Sequence, residues 1–182
     1  EYFLLASLNF STVIPAVFGT AELASTFGFI QRARPGLVIS GSRRSAAGFF
    51  IAGWVMLALL LAWPRYFFPF VWISVYFITE PVNIWLGSRN LTEGTRTGNW
   101  RAVYSLWVGV LITGFFWEMW NFLAFPKWIY QVPFVDALRV FEMPLLGYGG
   151  YLPFALELFA LYHLAAGIAG QRTTGYVALT TD

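Results

Sequence analysis

The sequence predicts an all-α integral membrane protein, a bundle of five transmembrane helices with a short interfacial or re-entrant helix between the fourth and fifth. Three observations predict it. The 182 residues are 58% hydrophobic and only 11% charged, against about 25% charged in soluble domains. Five apolar stretches approach or exceed the ~20 residues a spanning helix needs. The connections between them are short and rich in Pro, Gly and Arg. A soluble chain of this size could not hide so much apolar surface, and mean hydropathy is +0.64. One transmembrane domain covering 1–182 is the expectation.

The first span is expected over 2–30. It lacks a basic leader and is too long for a signal h-region. Pro15 inside it predicts a kink, and Glu22 follows Pro15 by about two turns. The second span, 45–63, contains no charge. Gly48 and Ala52 share a face there and predict a close helix contact. Pro64-Arg65 is a turn tight enough to force antiparallel neighbours. The third span, 66–86, carries Pro69 in its first turn, where the missing N–H does no harm. Glu80-Pro81 predicts a kink or an early end to that helix.

The fourth span, 100–124, repeats small residues every four positions at Ser105, Gly109 and Thr113, a packing stripe. The segment 125–150 is too long and too aromatic for a plain loop. Pro133 could start a helix with Val135, Leu138 and Phe141 on one face and Asp136 near its N-terminus. The fifth span, 151–169, carries Glu157 and His163. Residues 170–182 form a polar tail.

Orientation follows from the basic residues. Eight of the eleven, including Arg32, Arg43, Arg89 and Arg101, fall on the side holding the tail. The opposite side has Arg65, Lys127 and Arg139. The positive-inside rule then puts the N-terminus outside and the C-terminus in the cytoplasm, as expected in a bacterial inner membrane. Trp63, Tyr66, Trp100, Trp128 and Tyr130 near span ends fit the aromatic belts of the two interfaces.

The buried acids mark the candidate site. A charge at membrane depth costs at least ~2.5–3.5 kcal/mol, so such groups must be paired, protonated or held in a polar interior. Depth sorts them into an inner group, Glu22, Glu80 and His163, and an outer group, Glu118, Asn121, Glu142 and Glu157. Glu80-x-x-Asn83 and Glu118-x-x-Asn121 each place a carboxyl beside a carboxamide on one helix face. Interhelical hydrogen bonding accounts for such pairs as well as a ligand or proton site does. Within the outer group, Glu118 and Glu157 are expected to face each other at similar depth. Asn121 or Glu142 would bridge them, and a proton would be shared.

Other chemistries find little support. There is no Cys, which removes thiolate catalysis and Cys-ligated metals. No Glu-x-x-His di-iron signature occurs, so no metal is expected, although carboxylates of the outer group could in principle hold a hard cation. No serine elbow or phosphate loop is present. The net charge of +2 and the lack of a basic aromatic groove exclude nucleic acid.

The stretch from Trp117 to Glu157 resembles the small membrane lycopene cyclases of carotenoid synthesis. Those have an acid after a tryptophan and a proline-linked pair of acids ahead of a Phe pair. Trp117-Glu118 matches the first feature. Glu142-Met143-Pro144 reverses the second and lacks the adjacent acids. The resemblance covers under a quarter of the chain. It implies an enzyme acting on an isoprenoid or carotenoid-like lipid with a buried Glu as general acid, for which Glu118, Glu142 and Glu157 are the catalytic candidates.

Short connections, a single histidine and the absence of Cys point first to a different role. That role is a non-catalytic multi-pass subunit of a larger membrane assembly of the photosynthetic or respiratory kind. Such a subunit would contact other transmembrane subunits, membrane lipids, and a bound lipid, carotenoid or chlorophyll-type pigment. The lipid enzyme is the alternative.

Overall fold

A computed structural model describes residues 2–134 and 137–170, with backbone alone for Tyr2 and residues 5–10. The chain is mostly helical. Three helical segments, Arg43–Ala62, Arg101–Leu123 and Leu145–Ile168, are long and apolar enough to cross a membrane, and Phe70–Leu86 is a shorter apolar helix.

Helix α1 (Tyr2–Ser25) runs without a break through Pro15. It stops five residues earlier than the expected span. Thr26 and Phe27 turn the chain, and a single turn, α2 (Gly28–Gln31), follows. Helix α3 (Arg43–Ala62) begins where the Ser42 hydroxyl accepts from Ser45 N at 3.1 Å, the usual N-cap contact. The expected Pro64-Arg65 turn is a short helix, α4 (Pro64–Phe67), with Pro64 in its first turn. Helix α5 (Phe70–Leu86) continues past Glu80-Pro81 and ends at Gly87, whose φ of 68° closes the cap. Left-handed backbone is cheap only for glycine. The polar 87–99 connection holds one further turn, α6 (Thr92–Thr95). Helices α7 (Arg101–Leu123) and α8 (Tyr151–Ile168) follow.

Between α7 and α8 the described residues form no α-helix. Two short strands, β1 (Arg139–Val140) and β2 (Met143–Pro144), pair antiparallel, and a 310 helix (Leu145–Gly150) leads into α8. The apolar spacing of Leu138 and Phe141 suggests a helix face, but both residues have positive φ, 52° and 58°. A right-handed helix cannot pass through such residues. Val135 and Asp136 lie outside the described residues.

The long helices pack in a row, α1 against α7, α7 against α8, α8 against α5 and α5 against α3. Val17, Phe18 and Ala21 of α1 meet Leu106 and Val110 of α7 and Ala155 and Phe159 of α8 in one buried cluster. In lipid, helix association depends on van der Waals fit more than on the hydrophobic effect. The Ser105-Gly109-Thr113 stripe provides that fit toward α1. A methyl group on Gly109 would stand 2.6 Å from the Ala21 amide nitrogen. Thr113 Oγ1 donates to Gly109 O at 2.9 Å and lies 3.3 Å from Thr20 Oγ1. The contact expected at Gly48 and Ala52 is displaced. Gly48 is exposed with open space around it, and α3 instead meets α5 at Gly53, against Ser74 O and Ile78.

Candidate functional site

Glu118 is fully buried near the C-terminal end of α7. One turn earlier, Gly114 leaves room for a ring, and the Tyr151 ring packs on it. Residues four apart share a helix face, so Tyr151, first residue of α8, reaches Glu118. Its hydroxyl donates to Glu118 Oε1 at 2.5 Å. Tyr130 donates to the same oxygen at 2.8 Å. Glu118 Oε2 is buried with no hydrogen-bond partner among the described residues. Burial and then the bond to Glu118 push the Tyr130 hydroxyl above its ordinary value of 10.0, so it stays a neutral donor.

The connection after α7 is fastened so that Tyr130 arrives there. Asn121 acts like a strand edge: Nδ2 donates to Trp128 O at 2.9 Å and Oδ1 accepts from Trp128 N at 2.6 Å. Arg139 donates to Tyr130 O at 3.1 Å and to Glu142 O at 3.3 Å. Glu142 pairs with Lys127 at 2.5 Å and with Arg139 at 3.8 Å. This cluster is partly exposed, which makes Glu142 a fastener of the outer segment rather than a bridge between buried carboxyls.

Tyr130 and Tyr151 also line a cavity of about 380 Å³, together with Trp72, Trp117, Trp128 and Phe154 among others. That volume is in the range of small-ligand sites, which are mostly apolar with a few placed polar groups. Here the polar residues of the lining include the two tyrosines and Thr113. Glu157 is buried and lies six residues beyond Tyr151 on α8, about 9 Å along the axis at ~1.5 Å per residue. The bridging expected from Asn121 and Glu142 is not made, since both are engaged elsewhere.

The inner residues divide among separate contacts. Glu80 Oε1 accepts from Thr92 N at 2.9 Å and Thr92 Oγ1 at 3.1 Å, holding the start of α6. Asn83 Nδ2 donates to Ala160 O of α8 at 2.8 Å. His163 is buried against Phe159 and Tyr162, with ring centroids at 4.2 and 5.2 Å. Glu22 is half-buried on α1, whose main packing partner is α7. Among the described residues, no three acidic or histidine side chains converge as metal ligands would.

Sequence reasoning missed Tyr130 and Tyr151 as the partners of Glu118. The signal for Tyr151 was Gly114, a ring-sized gap one turn from the acid. Tyr130 had no such signal, because its placement depends on the Asn121–Trp128 clasp.

Comparison with protein-family models, with curated proteins and with solved structures finds no match to this chain. The fold and the site define a mostly helical protein with three helices long and apolar enough to cross a membrane and a buried acid bonded to two tyrosines that line an apolar cavity.

Proposed function

We propose that the chain is a single-domain, five-span protein of a bacterial inner membrane that binds an isoprenoid-like lipid in the cavity lined by Tyr130 and Tyr151. Helices α1, α3, α5, α7 and α8 are the five spans, with the N-terminus outside and the C-terminus cytoplasmic, in line with the basic residues. The single observation behind this reading is a buried carboxyl bonded to two tyrosine hydroxyls that themselves line an apolar, tryptophan-rich cavity. In an enzyme of this kind Glu118 is the general acid. In its acid form Glu118 gives its proton to a tyrosine oxygen as that hydroxyl, turned from Oε1 into the cavity, gives its own proton to a carbon–carbon double bond. Loss of a proton from a neighbouring carbon returns the carboxyl to its acid form, so the reaction is an isomerisation or cyclisation with no oxidant. The indole faces suit the intervening cation.

The test is to purify the protein with its native lipids, identify those lipids by mass spectrometry, and supply isoprenoid in D2O. Glu118→Gln should keep the lipid and lose deuterium incorporation. A wild-type protein that carries no isoprenoid and incorporates no deuterium would reject the reading.

A second reading is a non-catalytic subunit of a membrane assembly. Its support is the row of large exposed apolar side chains on α3 and α7, such as Trp54, Leu61, Phe115 and Trp120, which lipid or other transmembrane subunits would cover. A native-gel mass well above that of a 20.6 kDa chain with stoichiometric partners would favour it.

A further inference from the structure

A second cavity, about 290 Å³, lies toward the other ends of α5 and α7, and its lining includes Phe49, Tyr76, Phe77, Glu80, Trp100 and Trp107. It shares no lining residue with the cavity at Tyr130 and Tyr151. Its walls are aromatic, yet several polar groups are left over. Trp107 Nε1 is buried without a hydrogen-bond partner among the described residues, and by distance so is Glu80 Oε2, although Tyr76, one turn earlier, is a hydrogen-bonding neighbour of the same carboxyl. Pro81 has no N–H, so the carbonyl of Phe77 lacks its helical donor. A buried indole N–H or carboxylate oxygen with nothing to bond carries a desolvation cost. Together they ask for an occupant.

We propose that this inner cavity is a second lipid site, for a small single-chain lipid with a neutral hydroxyl headgroup. The leftover groups select that chemistry. The indole N–H needs an acceptor, while the carboxylate oxygen and the Phe77 carbonyl need donors. A hydroxyl can serve as either. A carboxylate headgroup would set like charge against Glu80, and an ammonium group could not accept from Trp107. A plain hydrocarbon would leave every polar group unpaired. The cavity sits at the lower end of the ligand-site range, which suits one chain and not a two-chain phospholipid. Ala46, fully buried on α3, also lines the cavity, so a large side chain there would fill it. The proposal is independent of any role for Glu118.

The experiment uses the full chain in lipid nanodiscs and a farnesol derivative carrying a photoreactive diazirine, with labelled peptides mapped by mass spectrometry. Saturable labelling of peptides from α3, α5 and the 87–100 connection is expected. Unlabelled farnesol should compete at least tenfold better than its saturated hydrocarbon, farnesane. Trp107→Phe keeps the packing and removes the N–H, and should erase most of that tenfold preference. Ala46→Phe should abolish inner labelling, and Trp107→Phe decides the matter if that variant does not fold. Tyr151→Phe should leave inner labelling intact, which separates this site from the outer one. Equal competition by farnesane, labelling confined to the outer peptides, or no saturable labelling would overturn the proposal.

Discussion

Tyr151, the first residue of α8, donates its hydroxyl to Oε1 of Glu118 on α7 at 2.5 Å. That bond joins two helices that are separated in sequence by the whole 124–150 connection. Tyr130 donates to the same oxygen from within that connection. One carboxyl oxygen thus ties together a helix, the next helix and the cover between them.

Removing one donor should be measurable. Tyr151→Phe keeps the ring against Gly114 and loses the bond. A typical hydrogen bond contributes about 0.5–1.5 kcal/mol, so the thermal midpoint in detergent should fall. Glu118→Gln keeps an acceptor at the same place and should be milder. Glu118→Leu, which leaves both hydroxyls unpaired, should be the worst of the three. An unchanged midpoint for Glu118→Leu would show that the cluster does not hold the fold.

The clasp at Asn121 should control access to the site. Asn121→Asp keeps the acceptor for Trp128 N but cannot donate to Trp128 O, whereas Asn121→Leu leaves both backbone groups without it. Each unsatisfied buried group costs roughly 1–3 kcal/mol. Limited proteolysis should therefore cut the 125–134 stretch faster in Leu than in Asp, and faster in Asp than in wild type. Equal cutting rates would mean that other contacts hold the segment.

Gly109→Ala should push α1 away from α7, because the new methyl would meet backbone at Ala21 rather than a side chain that can turn aside. Overpacking of this kind costs about 1–3 kcal/mol. Gly48→Ala, with open space around it, is the control and should leave the thermal midpoint unchanged.

Tyr130 predicts an alkaline limit. Its hydroxyl is pushed up, first by burial and then by the Glu118 bond. A group whose folded pKa is raised favours the folded state fully below its unfolded value, here 10.0. That contribution is lost as pH rises toward the folded value. Stability measured from pH 8 upward should start to fall near pH 10, and Tyr130→Phe should flatten the part of that slope due to this residue. An unchanged slope would place Tyr130 away from the carboxyl.

Topology can be read directly because the chain has no Cys. A cysteine at Thr97, in the 87–99 connection, should react with an impermeant maleimide only after the membrane is opened. A cysteine at Phe125, which is fully exposed, should react in intact spheroplasts. The reverse pattern would invert the orientation.

The sequence by itself determined the apolar helical character, the four apolar helices after residue 40 or so to within a few residues, and the acids worth attention. These depend on composition, on periodicity and on the cost of charge in hydrocarbon, all of which are local. It also identified the Gly109 stripe, since small residues four apart must share a face. The path from Phe125 to Gly150 was decided only by tertiary structure. Its apolar spacing is compatible with a helix, and what excludes one is the positive φ at Leu138 and Phe141, held with the ties of Asn121 to Trp128 and Arg139 to Tyr130. The partners of the acids were decided the same way. Glu80-x-x-Asn83 and Glu118-x-x-Asn121 look alike as strings. Yet Glu80 holds the start of α6 and Asn83 the backbone of α8, while Glu118 collects two tyrosines and Asn121 clasps Trp128. A carboxyl in an apolar bundle must find hydrogen-bond donors, and the sequence states that need. Which donors meet it depends on which helices the packing makes neighbours.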